Sequence, residues 1–226
     1  MKFSNTTVLI AAIEEETGIK PTLIELQKTL KDSKFLVADG GSKDKTVSIA
    51  KKLGATTFVQ KGIGKGNAIR QSLERVNAKS NYVVFTDADY TYSASKLKDM
   101  ILILDANPDV GMVLGNRFHN KSIAKILTNP FFFGNRLIAF VHWILNGVKL
   151  RDPLSGLRVV RYSLIKDWSP KSNGFDIESE LNCYIKKNHY RIVEVPVDYR
   201  NRLGKKKLGF KHAFNILKRI IQENST

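Results

Sequence analysis

Residues Asn81 to Ser95 read NYVVFTDADYTYSAS. Tyr82, Val83, Val84 and Phe85 make a short β-rich apolar run, the pattern of a parallel strand buried on both faces. The run stops at Thr86-Asp87-Ala88-Asp89, with two carboxylates one residue apart. The carboxyl end of such a strand is where open α/β sheets bind their ligands. Hard oxygen donors at this spacing suit Mg²⁺ or Mn²⁺ carried on a diphosphate. Such a metal takes one or two carboxylates and fills its shell with phosphate and water. The same residues also read as a solvated strand-to-helix turn, and their neighbours decide between the two.

Toward the N-terminus, Thr7 to Ala12, Phe35 to Ala38 and Thr56 to Val59 are three more short apolar runs. Between them, Pro21 to Leu30 has helical periodicity, and Asp39-Gly40-Gly41-Ser42-Lys43-Asp44 makes a tight turn. Ser42 or Asp44 is placed to cap a helix running to Leu53. Gly62 to Asn67 opens another helix. It lacks the endings of the known phosphate loops, so by itself it is only a helix N-terminus that favours anions, with Lys65 beside it. Toward the C-terminus come a helix from Leu97 to Leu104 and a strand from Val110 to Leu114. Strands alternating with helices through short connections predict an α/β chain with a doubly wound, mostly parallel sheet.

The chain has 226 residues, one cysteine and a formal charge of +16. That length suits one α/β domain with a sizeable core. Cys183 alone excludes intramolecular disulfides and argues for a reducing compartment. The apolar run after Met1 is too short for a signal peptide, and no stretch reaches the ~20 apolar residues needed to span a bilayer. The charge implies a polyanionic partner: phosphorylated substrates, an anionic membrane surface or nucleic acid. No motif that reads RNA or DNA is present, and paired carboxylates in a cleft would repel a phosphate backbone. A nucleic-acid-binding module is therefore the remote alternative, and no nucleic-acid partner is expected.

Four features follow the four strands in order: an acidic turn Glu14-Glu15-Glu16, then DGGSKDKT, GKGNAI and DAD. Further on stand Gly115-Asn116-Arg117-Phe118, Asp152-Pro153-Leu154-Ser155-Gly156-Leu157-Arg158 and Arg202-Leu203-Gly204-Lys205-Lys206-Lys207-Leu208. This ordered set covers nearly the whole chain. It resembles the family 2 glycosyltransferases of the GT-A fold, and within them the polyprenyl-phosphate (dolichyl-phosphate) hexose synthases. The resemblance implies a nucleotide-sugar-binding half at residues 1–118 and an acceptor-binding, membrane-facing half at 119–226 of one catalytic domain. It makes Ala11, Ala12, Glu15, Asp39, Lys65, Asp87 and Ala88 the nucleotide-sugar site. Glu15 and Asp39 would meet the base or ribose and Lys65 the diphosphate, while Asp87 and Asp89 hold the metal. Two departures stand out. The first loop lacks the family's proline and asparagine, and Tyr90-Thr91 follows DAD where a glutamine ligand is common. The third ligand and the sugar stay open.

In the second half, Phe131 to Val148 puts Phe133, Leu137, Phe140, Val141, Ile144 and Val148 on one helical face. That face either packs on the domain or lies at a membrane interface with Trp143 as an anchor. Asp176 to Lys187 reads as a helix, Arg191 to Val197 as a half-exposed strand, and Phe210 to Ile221 as an amphipathic helix. Lys205 to Lys207 is a basic cluster suited to anionic lipid. The expected placement is cytoplasmic, peripheral on the cytoplasmic face of the membrane. A phosphate acceptor, with its second pKa near ~6, is already a dianion and needs cations rather than a base. Arg117, Arg136 and Arg202 are the candidates, because a guanidinium fork matches phosphate oxygens. A saccharide or other hydroxyl acceptor, the alternative within the family, would need a base such as Asp152.

Overall fold

The computed structural model describes residues 5–119, 130–205, 207 and 210–224. Seven strands form one sheet: β1 (Thr6–Ala12), β2 (Lys34–Asp39), β3 (Thr56–Val59), β4 (Tyr82–Asp87), β5 (Val110–Asn116), β6 (Arg158–Arg161) and β7 (Arg191–Pro196). Their spatial order is β3-β2-β1-β4-β6-β5-β7. The first four are mutually parallel, β6 runs antiparallel to both its neighbours, and β5 and β7 are parallel. The helices are α1 (Glu16–Thr29), α2 (Thr46–Lys52), α3 (Lys65–Leu73), α4 (Leu97–Ala106), α5 (Pro130–Asn146), α6 (Tyr162–Ile165), α7 (Ile177–Lys187) and α8 (Phe210–Asn224).

Strand residues alternate between two cores, as the two-residue period of a pleated strand requires. Val8, Ile10 and Val84 join Ile19, Leu23, Leu97 and Leu104 on the α1–α4 face. Leu9, Val83 and Phe85 join Ile69, Leu73, Ile177 and Leu181 on the α3–α7 face. Both faces are covered, which is why the strands read as unbroken apolar runs. A third, smaller core of Ile138, Ile216 and Ile220 joins α5 to α8.

Two local expectations are corrected. First, α1 starts at Glu16 rather than Pro21, because the Gly18 and Ile19 N–H groups already donate to the Glu15 carbonyl. Gly18 then lies against the aspartate turn, where a Cβ would stand 2.6 Å from the Ala88 carbonyl oxygen. Second, β6 has no counterpart in the sequence reading, because arginines flank its two valines. Arg158 is 1% exposed. Its guanidinium donates to the carbonyls of Pro153, Ser155 and Glu178 and to Asn182 Oδ1, so a charged residue lives in a strand interior. Asp44, rather than Ser42, takes the first free N–H of α2, that of Thr46.

The chain winds from β1 outward to β3 and then returns to place β4 on the other side of β1. That reversal opens a crevice at the carboxyl ends of β1 and β4. Ladder register sets what stands at its edge: Ala11 pairs with Asp87, which faces the crevice, and Ala12 with Asp39, which does not.

Candidate active site

A cavity of about 670 Å³ fills this crevice. Ala11, Ala12 and Glu15 line it from β1 and its turn, Asp87, Ala88 and Asp89 from β4, and Lys65 from the start of α3. Arg117, Tyr199, Arg202 and Lys207 reach it from later in the chain, and α8 contributes His212 and Ile216. Most sequence-predicted site residues are thus brought together; Asp39 and Arg136 are not among the lining residues.

Asp89 is 4% exposed. Its Oδ1 accepts from the Thr91 N–H (3.1 Å) and hydroxyl (2.6 Å), and its Oδ2 from Arg202 Nη1 (2.6 Å). Thr91, at the place of a third ligand, here orients Asp89. Burial and the charge of Asp87 hold the Asp89 carboxyl above the usual range. Glu15 Oε1 accepts from both Arg202 Nη2 and Lys207 Nζ, while its Oε2 is buried without a hydrogen-bond partner. Burial pushes this carboxyl up as well, against the pull of the two cations.

Lys65 does not stand open to a diphosphate. Its ammonium is held between Asp87 Oδ1 (2.6 Å) and Glu178 Oε1 (2.7 Å). Burial works against this charge, but the two carboxylates raise its pKa and keep it ionised. Burial likewise opposes ionisation of Asp87, and Lys65, with Arg117 and Arg202, more than offsets it. The glycines around Lys65 serve packing: a Cβ on Gly66 would collide with the Ser172 carbonyl oxygen. The N–H groups of Gly66 and Asn67 donate to the Asn173 carbonyl, so part of the α3 N-terminus is already satisfied. Glu178, on the first turn of α7, was missed from sequence. Its i, i+2 neighbour Glu180 looks the same on paper, yet Glu180 turns away to cap the Lys171 and Ser172 N–H groups.

Asp39 is buried and turned back onto its own loop, accepting from the Gly41 and Ser42 N–H groups and the Ser42 hydroxyl. Arg117 makes a two-pronged pair with Asp152, Nε to Oδ2 and Nη2 to Oδ1, both at 2.7 Å. Asp152 is wholly buried and also accepts from the Arg117 N–H and Asn135 Nδ2. This corrects the expectation of Asp152 as a base for a hydroxyl acceptor, because a carboxylate so engaged and absent from the cavity wall is not placed to take a proton from substrate. Arg136 lies exposed on the outer face of α5.

Whether Mg²⁺ or Mn²⁺ fits can be judged from what now touches the aspartates. Each already holds a cation, Lys65 on Asp87 and Arg202 on Asp89, and the adjacent Glu15 oxygen has no partner. Gly156 gives Asp87 room, since a Cβ there would be 2.5 Å from Asp87 Oδ2. Among the described residues no group of three or more His, Cys, Asp or Glu side chains is set to cage a metal. Two carboxylates are the share that a cation carried on a diphosphate asks of the protein. The residues fit such an ion.

Comparison with known proteins agrees with this geometry. Residues 7–168 match the family described as glycosyl transferase family 2. The chain is 33% identical over 184 residues to glycosyltransferase AglJ of Haloferax volcanii, covering 80% of this chain and 59% of that protein. It is 28% identical over 208 residues to the dolichyl-phosphate hexose transferase of the same organism, covering 91% and 87%. Glucosyl-3-phosphoglycerate synthase from Mycobacterium tuberculosis, solved with Mn²⁺, uridine diphosphate and glucosyl-3-phosphoglycerate, superposes with a TM-score of 0.74. That match has 17% identity and covers 97% of this chain and 80% of the other, a likeness of fold. With the family match running from β1 through the aspartate turn and on past β6, the chain belongs to glycosyl transferase family 2.

Proposed function

We propose that the protein transfers a hexose or N-acetylhexosamine, with inversion, from a GDP- or UDP-linked sugar to a membrane polyprenyl (dolichyl) monophosphate. The observation that carries this reading is a shared wall. α8 lines the cavity with His212 and Ile216, and Ile216 packs on Ile138 of α5. The outer face of α5 is apolar: Phe133, Leu137, Phe140, Trp143 and Ile144 are all exposed, with Phe214 and Ile221 exposed on α8. Inward, α5 turns Asn135, Ile138, Ala139 and His142. A helix with its large apolar side chains outward suits the interfacial zone of a bilayer, where Trp143 with Lys149 over its ring is a fitting anchor. A polyprenyl chain would lie along this face while its phosphate enters the cavity. No helix of the described residues is long and apolar enough to cross a membrane.

In this reading residues 1–118 hold the nucleotide-sugar and residues 119–226 the acceptor, and the two halves interlock through Arg202, Lys207 and Glu178. Asp87 and Asp89 would hold Mg²⁺ or Mn²⁺, which when bound offsets the charge developing on the leaving diphosphate. Ala11, Ala12 and Ala88 leave room for the nucleotide, and Asp39 shapes the turn beneath it. The acceptor phosphate, already a dianion, supplies the nucleophile. Arg202 and Lys207, with Arg117 behind them, supply the positive potential that positions it. Arg136, outside the cavity, would meet lipid headgroups. The test is incubation with polyprenyl phosphate in vesicles, Mg²⁺ or Mn²⁺ and a panel of nucleotide-sugars, reading glycolipid by mass spectrometry. A glycosyl phosphate lipid is expected. Transfer to a free saccharide hydroxyl with none to the lipid phosphate would overturn the acceptor assignment.

A further inference from the structure

The segment after β7 is laid back over the carboxyl end of β4. Tyr199 bridges Tyr92, the Arg200 N–H donates to the Thr91 carbonyl (2.8 Å) and the Leu203 N–H to the Asp89 carbonyl (3.1 Å). Arg200 grips Glu25 with both terminal nitrogens, at 2.7 and 2.9 Å. Thus anchored on either side, Arg202 is carried into the cavity, where its guanidinium spans Asp89 and Glu15. The span is incompletely satisfied. Arg202 Nε and Glu15 Oε2 are both buried without a hydrogen-bond partner, a costly arrangement in a low-dielectric site.

We propose that Arg202 is a place-holder for the divalent cation: it occupies Asp89 in the free protein and yields it only when metal arrives together with a diphosphate. This rests on the reading of Asp87 and Asp89 as the metal site. Asp89 Oδ1 is committed to Thr91 and Oδ2 to Arg202, so a metal on this carboxylate must displace the guanidinium. Metal alone would strip that charge of Asp89, leaving it Glu15 only and setting it beside a dication. A diphosphate gives the released guanidinium two-pronged oxygen acceptors. Metal and nucleoside diphosphate therefore bind with positive coupling, each tightening the other by the same factor. The protein loads its donor as one unit and does not hold bare metal.

Mn²⁺ binding, read by loss of the free-ion electron paramagnetic resonance signal with and without GDP or UDP, tests this without any turnover. Wild type should bind Mn²⁺ alone weakly, and about tenfold or more tightly with nucleotide. Arg202→Ala should tighten Mn²⁺ alone about tenfold and shrink the coupling to match. Arg202→Lys keeps the charge but cannot span both carboxylates, so it should behave like Arg202→Ala. Lys207→Ala removes contacts to Glu15 and the Glu14 carbonyl but none to Asp89, and should tighten Mn²⁺ alone far less than Arg202→Ala. Thermal melts verify that each variant is folded. Arg202→Ala binding Mn²⁺ alone no better than wild type overturns the place-holder. So does Arg202→Lys retaining wild-type values, which would leave only long-range charge. Mn²⁺ binding that is absent throughout, or indifferent to Asp89→Asn, sinks the metal reading and this inference with it.

Discussion

Arg117 and Asp152 are far apart in sequence, and the roles their types suggest, phosphate clamp and general base, compete. Folded, they pair with each other, Asp152 wholly buried and Arg117 at the cavity wall. Removing one strands the other: Arg117→Ala should cost ~3–5 kcal/mol of stability, read by urea unfolding, because a buried charge loses its partner. Asp152→Ala should cost a similar amount, and the double variant much less than the two together. Full additivity would show that the pair is not coupled. Asp89 contrasts with them, since it lies beyond the apolar part of β4. Asp89→Asn should keep the melting transition within a few degrees and lower transfer at least ~100-fold, the scale on which electrostatic stabilisers of a leaving group act. A variant still turning over at wild-type rate in excess chelator would remove metal from the mechanism.

At the scale of elements, α5 is the informative one. Phe140 is 56% exposed and Trp143 44%. Phe140→Glu and Trp143→Ala should therefore change stability by under ~0.5 kcal/mol, as surface substitutions do. Both should lower co-sedimentation with vesicles several-fold. Vesicle binding unchanged in both would move the membrane contact elsewhere. The segment over β4 makes a separate prediction through its anchor, Glu25–Arg200. Burial raises the Glu25 carboxyl, but Arg200 and the Ala94 N–H pull it, on balance, below the usual range. A carboxylate whose folded pKa is depressed stabilises fully above its unfolded value, about 4.3, and loses that contribution as pH falls through the folded value. Glu25→Gln should thus be less stable than wild type at neutral pH, with the gap closing as pH drops below about 4. A gap that is constant with pH, in denaturant melts, would separate Glu25 from this role.

For the whole molecule, if the proposed membrane acceptor holds, the +16 charge and the apolar face of α5 should make two separable contributions to membrane contact. Attraction to anionic lipid acts over a Debye length, ~10 Å at 0.1 M salt and ~3 Å at 1 M. Binding to anionic vesicles should therefore weaken steeply between those concentrations. The part that survives high salt should be the part that Phe140→Glu removes. Salt-independent binding would mean that the charge plays no role in docking.

Six of the seven strands, their order along the chain and the position of the aspartate turn were legible in the sequence. β1, β2, β4 and β5 are built around apolar runs, and burial on both faces of a sheet leaves that mark without help from distant residues; β3, at the sheet edge, shows only β-branched and aromatic residues. Lys65, Asp87 and Asp89 could also be named, because turns at strand ends concentrate polar residues, and Glu15 and Arg202 through the resemblance to the family. Tertiary structure alone decided which of these charges face each other. Arg202 with Asp89 and Glu15, Lys65 with Asp87 and Glu178, and Arg117 with Asp152 are pairings across the fold that spacing does not encode. It also decided which way α5 faces. Helical periodicity marks an apolar stripe but not which way it points, and here buried Asn135, bound to Asp152, fixes the inner side and leaves Phe133 and Phe140 outward. β6 escaped notice because Arg158 neutralises its cost of burial with carbonyls from Pro153, Ser155 and Glu178, partners that exist only once the chain has closed around it.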